Sequence, residues 1–313
     1  MAGFLFRRIL QLIPTLLGVA VITFVIMRMI PGDPTSLMGD RISEEVRQRL
    51  RAEWNLDQPA WKQFAFYLQG LLTGNLGNSW RFQTTPVLEM VADAFRNTLL
   101  LGTAAFVISV IFGVGLGMLA AFNRGTWIDR AVLGFALLGI STPVFVVGVL
   151  LIIIAVAIGY RHFGSTGFGE HIDWRFLVLP AIALGSRSIA FLSRMTRAAI
   201  LDVQDQEFLR TATAKGLSRR QVIFKHLMRN ALVPIITVIG LNFADYLGGA
   251  ILVETVFQWP GIGFLLRKAI EFRDMPVIMA AVLFTTVIFV LINFTVDVCY
   301  ALIDPRIRLA EKD

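Results

Sequence analysis

Residues Glu207–Pro234 read EFLRTATAKGLSRRQVIFKHLMRNALVP, a polar, basic island between two long apolar runs. The run before it ends near Ile200, and the next begins at Ala231. Helix-forming sequence lies on both sides of Gly216, and the small residues Thr211, Ala212, Thr213 and Ala214 precede it. Glycine has no Cβ, so it permits a sharp, close-packed corner where other residues would clash. A short helix, a glycine turn and a second helix, tethered by flanking spans, make a rigid lever. Such a lever is expected to relay a signal from a cytoplasmic partner into the membrane.

The rest of the chain supports a membrane setting. Over 313 residues it is 56% hydrophobic and 16% charged, with mean hydropathy +0.69, more apolar surface than a soluble domain of this size buries. The net charge of +7 is read as cytoplasmic loops, not nucleic-acid binding, because no basic stripe with interleaved aromatics occurs outside the loops. Membrane lipid is therefore an expected partner and nucleic acid is not. Cys299 is the only cysteine, so no intrachain disulfide can form. Arg7 and Arg8 resemble the start of a signal peptide, but Ile9–Ile30 is too long for a signal core and no small-residue cleavage site follows. The segment reads as a retained first span.

A span needs about 20 apolar residues. Six segments qualify: Ile9–Ile30, Thr98–Phe122, Ala131–Gly159, Phe176–Ile200, Ala231–Val253 and Val277–Ile303. The third is long enough to imply tilt or an extension into water. Lys and Arg in the short loops set the orientation. Arg7, Arg8, Arg124, Arg130, the basic residues between Arg194 and Arg229, and Arg306, Arg308 and Lys312 would all lie inside. The expected class is all-α, a polytopic membrane protein with six transmembrane helices and both termini cytoplasmic. The loop 31–97 is then external and too long to be a mere connector. Within it Pro31-Gly32-Asp33-Pro34 stops the first span, Ser43 caps a helix with Glu44 and Glu45 in its first turn, and Pro59–Leu72 reads as an amphipathic helix carrying Trp61, Phe64, Tyr67, Leu68 and Leu71 on one face.

Familiar catalytic chemistry is absent from the sequence. There is no G-x-x-x-x-G-K-[ST] phosphate loop, no H-E-x-x-H, no G-x-S-x-G elbow, and no metal-ligand spacing among His162, His171 and His226. Gly113, Gly115 and Gly117 lie inside the second span, where Gly113-x-x-x-Gly117 fits close helix packing better than dinucleotide binding. No enzyme activity, cofactor or metal site is expected of this chain. Arg187 and Asp245 fall about halfway along the fourth and fifth spans, with Asn242 one turn from Asp245. Charges at that depth are costly and face a partner, a cavity or a substrate path. Arg187, Asn242 and Asp245 either line a polar pathway, or Arg187 and Asp245 form a structural pair. Arg28 is expected to snorkel to the external surface.

Several motifs together resemble a known family. Arg210-Thr211-Ala212-Thr213-Ala214-Lys215-Gly216 and Arg229-Asn230-Ala231-Leu232-Val233-Pro234 are similar to the cytoplasmic "EAA" loop of ATP-binding-cassette (ABC) importer permeases, and most to its dipeptide, oligopeptide and nickel branch. Ile13-Pro14-Thr15 with Ile30-Pro31-Gly32-Asp33-Pro34, then Gly74-Asn75-Leu76-Gly77-Asn78-Ser79, then Glu254–Gly263, then Asp304-Pro305-Arg306-Ile307-Arg308 resemble other signatures of that branch. The general pattern's acidic first position falls on Arg210, so a salt bridge assigned to that acid does not carry over.

The resemblance implies a type I ABC importer permease in the bacterial cytoplasmic (inner) membrane. It would form the translocation pathway with a second homologous permease. Two ABC ATPase subunits would bind ATP and Mg, and an external substrate-binding protein would deliver substrate, most readily di- or oligopeptides. Coupling to the ATPase is expected of Arg210, Thr211, Ala212, Ala214, Lys215, Gly216, Leu217 and Arg219. The chain then divides into 1–30 (N-terminal segment and first span), 31–97 (external loop domain), 98–303 (five-helix core with the coupling loop 201–230) and 304–313 (cytoplasmic tail). Nickel chelates, glutathione and oligosaccharides are alternative cargoes of the same branch. An ion-coupled secondary transporter is the alternative class, although no internal repeat supports it.

Overall fold

The computed structural model describes residues 2–29, 35, 43–82, 85–160, 174–243, 246 and 250–303. The Pro31–Pro34 turn, Arg161, His162, His171, Asp245 and the 304–313 tail lie outside them. Among the described residues the helices are α1 (Ala2–Met29), α2 (Glu44–Glu53), α3 (Ala60–Thr73), α4 (Val87–Phe122), α5 (Trp127–Ser141), α6 (Val144–Ala157), α7 (Trp174–Gln204), α8 (Glu207–Ala214), α9 (Arg219–Gln221), a π-helical stretch Val222–Leu227, α10 (Met228–Phe243), α11 (Ala250–Phe257), α12 (Ile262–Glu271) and α13 (Met275–Ile303). Beyond helix there is one isolated antiparallel bridge among them, Asn78 to Pro86.

The chain forms two units. The first comprises Met1–Asn97 and Pro260–Phe294. Helix α2 starts as the sequence predicts: Ser43 Oγ accepts the Val46 N–H at 3.4 Å, with Glu44 and Glu45 in the first turn. On α3, Phe64, Tyr67, Leu68 and Leu71 are half-buried, while Trp61 is exposed. The unit's core joins Val87 and Val91 of α4 to Ile262 and Ala269 of α12 and to Val277, Ile278 and Ala281 of α13. Asp274, buried between α12 and α13, accepts from Ser79 Oγ at 2.5 Å and from the N–H groups of Trp80 (3.1 Å) and Arg81 (3.3 Å). A buried carboxylate is tolerated when its lone pairs are filled in this way. Trp80 stacks on Trp54 with centroids 4.6 Å apart.

The second unit comprises Thr98–Trp259 and Thr295–Asp313. Its long helix α7 receives α5, α6 and α10 along its length. The rest of α4 also packs against α7, through glycine. A Cβ on Gly113 would lie 2.7 Å from Leu192 Cβ, and one on Gly117 would lie 2.5 Å from both the Ser193 carbonyl oxygen and Thr196 Cβ. Gly113-x-x-x-Gly117 is thus a packing face, as expected. Gly115, one step off that face, meets nothing within 4 Å.

Two expected spans are built differently. The segment Ala131–Gly159 is not one tilted helix but a pair, α5 and α6, bent by 113°. Pro143 explains the break: it lacks an N–H and forces Thr142 into an extended conformation, with ψ 127°. The expected fifth span starts earlier than Ala231, because Arg219–Gly240 runs as one apolar helical stretch through the π-helical residues. Among the described residues, four helical segments are long and apolar enough to cross a membrane, or five if the bent pair is one broken span. The apolar part of α1, Ile13–Met29, is shorter.

Candidate functional site

The 207–234 corner is set by local chemistry. After α8, Gly216 N–H donates to the Thr213 carbonyl at 3.0 Å and Leu217 N–H to the Ala212 carbonyl at 3.4 Å. This paired pattern ends a helix with its C′ residue in the left-handed region, and Gly216 has φ +80°. Ser218 then opens the next helix with a reciprocal cap: its Oγ accepts from Gln221 N–H at 3.4 Å, and Gln221 Oε1 accepts from Ser218 N–H at 3.0 Å. One expectation is corrected here. The corner is not close-packed at Gly216, since a Cβ there meets nothing within 4 Å. Glycine is required by the backbone angle, not by lack of room.

The corner sits on its own core. Leu209 and Leu227 pack with Ala121 of α4, Ile200 and Val203 of α7, and Ala231 and Ile235 of α10. Of the eight residues read from sequence, Arg210, Thr211, Ala214, Lys215, Gly216 and Arg219 are exposed. Ala212 is buried and Leu217 half-buried, so these two seat the corner while the other six present a basic outer surface.

Sequence reading missed a clamp behind this corner. Asp129, in the first turn of α5, is 3% exposed. Arg197 of α7 grips it through two parallel bonds, Nε to Oδ1 at 2.5 Å and Nη2 to Oδ2 at 2.8 Å. Gly125 N–H adds a third bond, at 2.9 Å. The planar guanidinium matches a carboxylate edge to edge, which fixes distance and angle together. A second, exposed pair, Arg124 to Asp205 at 3.5 Å, joins the same 123–130 loop to the residues just before α8. The end of α7 that carries the corner is therefore locked to the α4–α5 loop.

Polar groups inside the second unit form a further set. Tyr246 OH donates to Ser109 Oγ at 2.7 Å, and Ser109 donates to the Ala105 carbonyl. Glu254, fully buried, accepts from Thr98 Oγ1 at 2.7 Å. In sequence Glu254 falls just beyond a span, at the head of the Glu254–Gly263 signature, with nothing to indicate this partner. Arg187 is exposed on α7 and has no ion-pair partner among the described residues. Asn242 lies on α10; Asp245 lies outside the described residues. Arg28 of α1 donates to Gln63 Oε1 of α3 at 3.0 Å. Among the described residues no group of three or more His, Cys, Asp or Glu could hold a metal ion.

The architecture is that of ABC importer permeases. The MetNI methionine ABC transporter, solved in inward-facing conformations, superimposes with a TM-score of 0.55 at 17% identity, over 69% of this chain and 97% of that one. An amino acid ABC transporter solved with histidines gives 0.53 at 18% identity, over 67% and 92%. Residues 113–309 match the binding-protein-dependent transport system inner membrane component family, and residues 1–102 match its N-terminal membrane-component region. The chain belongs to this family. It is 41% identical over 310 residues to the glutathione transport system permease protein GsiC of Escherichia coli K12, covering 98% of this chain and 99% of that protein. It is 38% identical over 339 residues to the dipeptide transport system permease protein DppB of the same strain, with the same coverage. The chain is a permease subunit of a binding-protein-dependent ABC importer, integral to a bacterial inner membrane.

Proposed function

We propose that this permease imports short peptides, glutathione among them. The observation that carries this reading is end-to-end similarity to both a glutathione and a dipeptide permease. In this proposal the chain crosses the membrane six times with both termini inside. It pairs with a second, homologous permease over two ABC ATPase subunits and takes its cargo from an external binding protein. ATP and Mg are held by the ATPases, and this chain neither hydrolyses ATP nor binds a cofactor. The exposed residues Arg210, Thr211, Ala214, Lys215 and Arg219 dock in a groove of the ATPase. The Asp129–Arg197 clamp transmits the resulting push to α5 and α7. Asn242, Asp245 and Arg187 line the pathway.

The test is uptake of a labelled dipeptide and of labelled glutathione by the reconstituted four-subunit complex with its binding protein. Uptake should stop when ATP is depleted and persist when the ion gradient is collapsed; the reverse pattern would indicate an ion-coupled carrier. Uptake of an oligosaccharide or a nickel chelate, with no competition by peptides, would remove the peptide assignment. Asp245→Asn should assemble normally and lower uptake. Failed assembly that Arg187→Gln rescues would instead make Asp245 half of a structural pair, because an unpartnered buried charge costs several kcal/mol.

A further inference from the structure

The first unit contains a cavity of about 760 Å³, lined in part by Asn75–Asn78 of the Gly74–Ser79 signature. Its wall is formed by Phe24 and Arg28 of α1, Glu53 and Trp54 at the end of α2, Tyr67 of α3, and Trp80 of the loop held by Asp274. This volume lies in the range of small-molecule sites, and the mix of aromatic walls with a few polar groups is the usual composition of one.

The polar groups are specific in kind. Arg28 donates to Gln63 Oε1, an uncharged partner, and Gln63 is itself fixed by Nε2 bonds to the Gln58 carbonyl (2.8 Å) and the Leu56 carbonyl (3.2 Å). The guanidinium is thus oriented without being neutralised. Glu53 lines the same cavity, and the two charges form no ion pair with each other or with any other described residue. Tyr67 OH is buried and has no hydrogen-bond partner among the described residues. Burial pushes that phenol up to about 12, so it remains a neutral donor at any working pH. The Trp54–Trp80 stack, 4.6 Å between centroids and 11° from parallel, gives a flat apolar wall.

A cation and an anion that line one aromatic-walled cavity without pairing, with a spare hydroxyl donor, are complementary to a small zwitterion. We infer that this cavity is a peptide subsite on the permease itself: Arg28 takes the terminal carboxylate, Glu53 the terminal ammonium, and Trp54 and Trp80 the side chain between them. This rests on the peptide reading given above. It goes further in giving the permease, and not only its binding protein, a direct hold on the cargo. A carboxylate on a guanidinium forms charge-assisted bonds with fixed geometry, so both peptide ends should be recognised and both must be free.

The test uses the full chain in phosphatidylcholine nanodiscs. Tryptophan fluorescence is followed during titration with alanyl-alanine, N-acetyl-alanyl-alanine and alanyl-alanine amide. The expected result is a saturable change with the free dipeptide, at least tenfold weaker with either blocked form. Arg28→Gln and Glu53→Gln should each abolish the change, while Arg267→Gln, which lies outside the cavity, should not. No saturable change, or equal binding of the blocked peptides, overturns the subsite. So does a change produced by phosphatidylethanolamine in the disc without peptide, which would assign the cavity to a lipid headgroup. Uptake by the whole complex separates the two readings: uptake that is normal in Arg28→Gln overturns the subsite and leaves the peptide importer standing.

Discussion

Gly216 illustrates how much one backbone angle decides. At φ +80° a residue with a Cβ is strained by about 1–3 kcal/mol, whatever the free space around it. Gly216→Val should therefore insert normally and transport poorly, because the apolar faces of the spans are unchanged while the corner is distorted. Asparagine tolerates the left-handed region, so Gly216→Asn should retain most activity. Transport, ATPase co-purification and hydrolysis stimulated by loaded binding protein would be measured in both. Wild-type values for the valine variant in all three would remove the coupling role. Gly117 and Gly115 make a contrasting pair two residues apart. Gly117→Ala drives a methyl to 2.5 Å from Ser193 O and Thr196 Cβ and should destabilise by about 1–3 kcal/mol through overpacking. Gly115→Ala meets nothing and should stabilise by roughly 0.5–1 kcal/mol through helix propensity. Thermal unfolding in detergent should show shifts of opposite sign.

The Asp129–Arg197 clamp makes its prediction between elements. Arg197→Met leaves a buried carboxylate with only Gly125 N–H as partner, a loss of about 3–5 kcal/mol. The double variant Asp129→Leu/Arg197→Met removes both charges and should recover most of that stability, since well-packed apolar pairs often substitute for buried ion pairs. Transport should remain low in the double variant, because the fixed angle between the α4–α5 loop and α7 is gone. Recovery of transport along with stability would mean that the clamp serves folding alone. Both measurements compare the same three proteins. Helix-level features divided by range when read from sequence. The corner was legible because its signal is local: a glycine after a run of small residues. The helix starting after Ser43 and the packing face at Gly113 and Gly117 were legible for the same reason. The clamp was not, because Asp129 and Arg197 lie 68 positions apart and each reads singly as an ordinary loop or helix-end charge. Glu254 was legible only as the head of the Glu254–Gly263 signature, because nothing next to it in sequence announces Thr98, 156 positions away. The bend at Thr142–Pro143 was hidden inside an unbroken apolar run, where composition outweighed the proline.

For the whole molecule the basic bias of the short loops predicts sidedness. With Cys299 replaced by alanine, single cysteines at Ser43 and Ser218 should react with a membrane-impermeant reagent from opposite sides. Reaction of both from one side would end the six-span arrangement. The division into two units also has a temporal side. The first unit is assembled from two stretches far apart in the chain: the loop Ser79–Phe82 is closed by Asp274, 195 positions after Ser79. A ribosome delivers these pieces in order, so the amides of Trp80 and Arg81 are made long before their acceptor emerges. Contacts of such separation form late, after the chain between them has been paid out. The first part of the protein to be synthesised is therefore among the last to be finished, and a nascent chain halted anywhere before residue 274 carries that loop unlatched.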